Sequence, residues 1–173
     1  ILLAEAHLPI NTCGYCRSTI DGVLKKGYDF LNGIIATRSC ANMVRMFDAW
    51  RHAANPGFAE MLDLPYKTHP AAVEMYRAEL EKLKGRLETH YGISITDEGL
   101  AEAIQVYDRT RQLLRQLYEL RKAAAPLISG AECLAVVTAG MVMRKDEYNQ
   151  LLEGLLVELE ERGKAHQGRA RIM

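Results

Sequence analysis

Gly33-Ile34-Ile35-Ala36-Thr37 runs into Arg38-Ser39-Cys40 and then into the stretch from Ala41 to Ala53. The first five residues are apolar and partly β-branched, with glycine on one side and polar residues on the other. They predict a buried strand. From Ala41 to Ala53 the apolar positions Val44, Phe47 and Trp50 recur at helical spacing, which predicts a helix. Phe58 to Leu64 is a weaker strand candidate, stopped by Pro65. Strand, tight turn, helix and strand make an α/β unit of parallel character. Upstream, Arg17 to Lys26 reads as a short helix ended by Gly27.

Beyond Tyr66 the pattern becomes helical. Val73, Tyr76, Leu80, Leu83, Leu87 and Tyr91 recur every three or four residues and define one helix face, with Thr68 as N-cap and Gly92 as stop. A second long helix starts after Thr96, with Asp97 and Glu98 at its positive dipole end. Its stripe is Leu100, Ile104, Tyr107, Leu114, Leu117 and Leu120. The short link between the two predicts an antiparallel helical hairpin. After Pro126, Ser129-Gly130-Ala131-Glu132 is a capping-box pattern that opens a short apolar helix. Asp146 to Glu161 is amphipathic, with Tyr148, Leu151, Leu152, Leu155, Leu156 and Leu159 on its apolar side. Lys164 to Gly168 reads as a polar linker. Three regions follow: an α/β part over 1–66, a helical region over 67–167, and the start of something new over 168–173.

The 173 residues suffice for a domain with its own core. Lys plus Arg and Asp plus Glu number 22 each, a balance that gives no electrostatic case for nucleic acid or an anionic membrane. The apolar run from Cys133 to Met143 is too short to span a bilayer and predicts a buried helix. The first residue is Ile and no secretory signal is visible, so the expectation is a cytoplasmic protein of which this is a piece. There is no Walker A motif, no G-x-G-x-x-G and no G-x-S-x-G, so any ATP would be bound by another protein.

Four cysteines stand at 13, 16, 40 and 133, spaced too irregularly for a disulfide framework and better suited to metal or redox use. Cys13 and Cys40 each precede a helix. A helix N-terminus offers unpaired N–H groups and a positive partial charge, which favour a thiolate. Thiolates bind iron–sulfur clusters, and such N–H groups can bond the cluster sulfurs. Two such cysteines at the C-terminal ends of strands can meet in the crevice where open α/β sheets bind ligands. They can equally be small buried hydrophobes. Cys13-Gly14-Tyr15-Cys16 is a C-x-x-C, readable as a thiol pair or half a zinc site, but no second half follows. Cys133, inside an apolar helix, reads as packing. Arg17, Arg38 and Ser39 lie close to the candidate ligands; the arginines could offset an anionic cluster or meet the phosphates of a thioester substrate, or be solvated surface residues. The histidines are dispersed, and only His7, upstream of Cys13, is near the candidate site.

Leu8-Pro9-Ile10-Asn11-Thr12-Cys13-Gly14-Tyr15-Cys16-Arg17-Ser18 resembles the first cysteine motif of the 2-hydroxyacyl-CoA dehydratase/benzoyl-CoA reductase family, and Leu31 to Cys40 resembles its second. Asp48-Ala49-Trp50-Arg51, Leu62-Asp63-Leu64-Pro65, Ile95 to Arg121 and Met143 to Tyr148 continue the likeness in order. The resemblance implies a subunit with two α/β domains, of which residues 1–66 are part of the first and 168–173 begin the second. It implies a [4Fe-4S] cluster between the domains, held by three cysteines with one iron left open. Cys13 and Cys40 match the first two ligands by position, and the third lies outside this sequence. Cys16 stands where many relatives are apolar, and Ala41 where relatives have Asp; no ligand role passes to Cys16 or Cys133.

The resemblance further implies a homologous second subunit, an ATP-hydrolysing iron–sulfur activator and an acyl-CoA substrate. One low-potential electron delivered to the thioester would lead to dehydration of a 2-hydroxyacyl-CoA or to reduction of an aromatic ring. Other readings are a double-cubane-type reductase of small molecules, a non-enzymatic Cys13/Cys16 metal or thiol module, and a helical interaction subunit whose cysteines only pack.

Overall fold

A computed structural model of the chain describes residues 3–123 and 125–163. The expected start of a new element at 168–173 lies outside the described residues. By packing, the chain divides between Ser94 and Ile95 into two compact units.

The first unit carries the α/β part. A single 3₁₀ turn, Ala4–Ala6, precedes α1 (Gly14–Leu24), β1 (Gly33–Thr37), α2 (Ala41–Ala54), β2 (Phe58–Leu62) and α3 (Pro70–Tyr91). β1 and β2 pair in parallel, from Gly33 beside Phe58 to Thr37 beside Leu62. The β1–α2–β2 segment is therefore a parallel crossover unit, as the pattern predicted. β2 buries Phe58, Glu60 and Leu62 on one face, the period-2 alternation of a half-covered strand. β1 does not have the full burial expected of it: Ala36 is buried but Ile35 is 48% exposed. Ile35 shares its face with Phe58, Glu60 and Leu62, and α3 covers that face over β2 rather than over β1.

Helix ends follow local chemistry, with three shifts from expectation. α1 begins at Gly14, ahead of Arg17, and Lys26 rather than Gly27 takes the left-handed conformation at its end, with φ 60°. Gly27 N–H then donates to the Gly22 carbonyl at 2.9 Å, the long backward bond of a Schellman stop. The N-cap of α3 is His69, not Thr68. Pro70 fixes the first helical residue, and His69 Nδ1 accepts the Ala72 N–H at 3.2 Å. The weaker strand ends at Leu62 rather than Leu64.

α1 and α2 pack on each other around Ala4, Leu8, Cys16, Ile20, Val23, Met46 and Trp50. Burying a side chain such as Ile20 fully stabilises by about 1.5–3 kcal/mol. α3 lies on β2, where His90 and Tyr91 surround Phe58 and Arg86 meets the buried Glu60 carboxylate at 2.8 Å. Ala72 is its one buried residue, and Val73, at 60% exposure, shows that the apolar stripe does not bury as expected.

The second unit is helical: α4 (Asp97–Leu120), α5 (Gly130–Val142) and α6 (Lys145–Arg162). α4 and α5 both pack on α6, and the core joins Leu113, Leu117, Ile128, Cys133, Tyr148, Leu152, Leu156 and Leu159. Inside it, Thr110 Oγ1 donates to Asn149 Oδ1 at 2.6 Å, and Asn149 Nδ2 donates to the Val106 carbonyl at 3.0 Å. Ser129 and Glu132 form the reciprocal capping box that the sequence predicts. The two long helices expected as a hairpin fall in different units, where α3 packs on β2 and α4 on α6. α5 is not buried along its length: Cys133 is, while Leu134, Met141 and Val142 are exposed. Only part of its apolar surface meets α6. No helix among these residues is long and apolar enough to cross a membrane.

Candidate functional site

α1 and α2 lie side by side with the same polarity, and two contacts establish this. At their N-terminal ends, Cys16 Sγ meets Met43 Sδ at 3.9 Å; each residue stands three places after its helix's N-cap. At the far ends, Tyr28, just past α1, stacks on Trp50 of α2 with ring centroids 5.2 Å apart. The N-caps of the two helices are Cys13 and Cys40. The fold thus brings the two helix starts that carry the candidate ligand thiols to one end of a packed pair.

Both N-cap residues have extended backbones, both are exposed, and neither side chain makes a regular capping hydrogen bond. The first N–H groups of α1 and α2 thus point toward the end of the pair where the two accessible sulfurs lie. The Cys40 position is set by the sheet. Arg38 N–H donates to the Leu62 carbonyl at 2.9 Å, one step beyond the β1–β2 register, and Ser39 N–H closes a tight turn onto the Thr37 carbonyl at 2.8 Å. Cys40 thus sits at the C-terminal end of a parallel strand. Cys13 does not: it follows turn residues tied by Thr12 N–H to the Pro9 carbonyl at 2.9 Å, and no strand precedes it among the described residues. Next to it the buried Thr12 hydroxyl has no partner among those residues.

The thiols differ in protonation. The Cys16 N–H, then the Cys16 thiol, hold Cys13 below the usual thiol value. Burial, followed by the neighbouring Cys13, pushes Cys16 up to about 11, and the charge of Cys40 is felt there too. Cys13 is thus the more readily ionised of the two thiols. No packing partner for Cys16 is predicted from sequence; its contact with Met43 spans 27 residues and leaves no local signature.

Arg17 is ion-paired with Glu5, and Arg38 with Asp63. Each cation near the thiols already faces a carboxylate. Ser39 is exposed in the turn before Cys40. His7 is exposed, and its backbone N–H closes the 3₁₀ turn onto the Ala4 carbonyl at 3.0 Å. Cys133 is remote in sequence and packed in the second unit, with Arg121 Nη1 at 3.7 Å from its sulfur. Arg38, Asp63, Pro65, Tyr66, Lys67 and Met75 line an open, largely apolar groove of about 510 Å³ beyond the strand ends. Among the described residues no three His, Cys, Asp or Glu side chains converge as a complete metal site. A three-ligand cluster site built on Cys13 and Cys40 therefore needs a donor from elsewhere, and a four-ligand zinc site on the C-x-x-C has no support.

The family model for the 2-hydroxyglutaryl-CoA dehydratase D-component matches residues 1–173. The chain belongs to this family. Among family members, a benzoyl-CoA reductase subunit of Thauera aromatica is 30% identical over 157 residues, covering 90% of this chain and 41% of that protein. The (R)-2-hydroxyglutaryl-CoA dehydratase beta subunit of Acidaminococcus fermentans is 28% identical over 153 residues, covering 85% and 39% respectively. The (R)-phenyllactyl-CoA dehydratase beta subunit of Clostridium sporogenes is 23% identical over 158 residues, covering 91% and 42%. The chain spans about two fifths of the length of these relatives. Both the dehydratase and the reductase branches of the D-component family are thus represented among its relatives.

Proposed function

We propose that this chain supplies part of the cluster-binding wall of an oxygen-sensitive subunit acting on acyl-CoA thioesters, by 2-hydroxyacyl-CoA dehydration or aromatic-ring reduction. The observation that carries the reading is the pair of exposed thiols capping two parallel, side-by-side helices in a chain of the D-component family. The donor set fits an iron–sulfur group: two soft sulfur ligands, each beside helix N-terminal N–H groups that can bond sulfide. Cys13 and Cys40 would hold a [4Fe-4S] cluster, with a third cysteine from outside this sequence. When bound, the cluster would supply a single low-potential electron to the thioester.

The chain's own residues have definable tasks. The N–H of Cys16 lowers the Cys13 thiol's pKa below the usual value, which eases its ionisation for ligation. The β1–β2 ladder, extended through Arg38, fixes where Cys40 stands. The Arg17–Glu5 and Arg38–Asp63 pairs keep the local charge near neutral, so a negative group brought between the thiols is not over-compensated. The groove beside the Arg38–Asp63 pair offers an apolar floor with Lys67 as a cationic edge, suited to the arm and a phosphate of a CoA ester. A homologous second subunit, an ATP-hydrolysing activator and a cytoplasmic location complete the reading by family resemblance.

The test is anaerobic preparation of the full-length protein with its partner subunit, alongside Cys13→Ala and Cys40→Ala. Each variant is expected to lose most of its iron and its turnover of candidate thioesters in the presence of the activator. Full iron content in both variants would remove these residues from the site.

A further inference from the structure

Cys16 is the sulfur that the ligand role leaves unused. It is fully buried in the core that α1 and α2 share, three residues after the exposed Cys13 that caps the same helix. The N-cap and the third helical residue stand on the same side of a first turn, about 5–6 Å apart at Cβ before any adjustment. A disulfide takes Cα atoms at about 4.4–6.8 Å and Cβ atoms at about 3.5–4.5 Å, within reach of small side-chain and N-cap shifts. The pair is also asymmetric: one thiol is exposed and the other buried.

We infer that Cys13 and Cys16 form a reversible disulfide site, in which Cys13 meets the oxidant and Cys16 resolves it, so that the ligand Cys13 is withdrawn whenever no metal occupies it. The disulfide itself follows from the two side chains alone; its consequence for metal binding rests on the ligand role proposed above. The oxidant is a small-molecule disulfide of the glutathione class. The Cys13 sulfur attacks one sulfur of that disulfide, whose S–S bond breaks. A Cys13 mixed disulfide forms and one small thiol leaves, carrying the Cys13 proton by way of solvent. Cys16 then gives up its proton and attacks the Cys13 sulfur. The mixed disulfide breaks, the Cys13–Cys16 bond forms, and the second small thiol leaves protonated. Two protein thiols become one disulfide, and one small disulfide becomes two thiols.

Buried Cys16 cannot serve as first target for a bulky oxidant, and Cys13 without Cys16 cannot resolve. The experiment treats metal-free full-length protein, Cys16→Ala and Cys13→Ser with glutathione disulfide, and maps products by peptide mass spectrometry. Circular dichroism confirms that each variant is folded. Wild type is expected to lose two hydrogens across the peptide holding Cys13 and Cys16, without a glutathione adduct. Cys16→Ala is expected to hold a stable adduct at Cys13 that a dithiol removes, and Cys13→Ser to leave Cys16 unmodified. A persistent adduct at Cys13 in wild type, or a Cys13–Cys40 bond in its place, overturns the inference. Iron and sulfide are then offered to reduced and disulfide-closed wild type. Uptake only after reduction is expected. Equal uptake by both forms overturns the withdrawal of Cys13. If neither form takes up iron, the ligand role fails while the mass data still decide the disulfide.

Discussion

Cys13 and Cys16 are three residues apart, and their surroundings push their protons in opposite directions. For Cys13 the native value is depressed, so its charged form adds stability above the ordinary thiol range, and that stability is lost as pH falls through the native value. For Cys16 the native value is raised to about 11. Its neutral form adds stability that is complete below the ordinary thiol range and lost as pH rises toward that value. In metal-free protein, iodoacetamide is therefore expected to label Cys13 at lower pH than a free cysteine, and Cys16 only on unfolding. Alkylation rates read by mass spectrometry across pH 6–10, a range that brackets the free-thiol value of about 8.5, check this. Equal labelling of the two sulfurs would contradict it. The sequence revealed Cys13 and Cys40 because a cysteine before a helix is a local pattern. It could not reveal the Cys16–Met43 contact, which exists only once two helices lie together.

At the scale of elements, starts and stops were the most legible features. Thr96, Ser129 and Gly92 do what their side chains or backbone freedom predict. Where expectation slipped, a neighbour decided: Pro70 moved a cap by one residue, and Lys26 took the strained turn that Gly27 was expected to supply. Burial was less legible than periodicity. An apolar stripe states that a face can be buried, but α3 and α5 show that it does not state whether a partner arrives. Close approach was invisible as well. A Cβ on Gly140 of α5 would lie 2.8 Å from the Tyr148 ring, and that ring is buried and donates its hydroxyl to the Val136 carbonyl at 3.0 Å. Gly140→Ala is therefore expected to cost about 1–3 kcal/mol by overpacking, although alanine is the better helix former. Urea unfolding measures it; a gain in stability would show that Tyr148 yields. Ser129→Ala, which removes one half of a reciprocal cap, should cost about 1 kcal/mol by the same measurement.

At the scale of the whole molecule, each unit carries its own core: Ile20 is fully buried in the first and Leu117 in the second. Either residue changed to Ala should cost about 2–5 kcal/mol through lost contacts and the cavity left behind. The functional consequences should separate. Ile20→Ala loosens the pairing of α1 with α2 and is expected to change Cys16 accessibility and iron uptake. Leu117→Ala is expected to lower stability while leaving the labelling of Cys13 and Cys16 unchanged. Thermal unfolding combined with thiol labelling reads both effects, and altered labelling in Leu117→Ala would show that the site depends on the second core. The parallel crossover was legible as a whole because strand, helix and strand announce themselves in sequence. The division at Ser94 was not, because nothing in the short link before α4 marks a boundary between cores.

The aromatic stack of Tyr28 on Trp50 closes the far end of the helix pair, and the sulfur contact of Cys16 with Met43 closes the near end. On the proposed ligand role the pair would work as tongs pinned at the handle, with the two N-cap sulfurs as its jaws. Their gape would then be governed by residues that never touch the gripped object. Exchanging the pliable thioether of Met43 for a stiffer side chain should reset that gape and alter grip strength, with both jaws chemically intact.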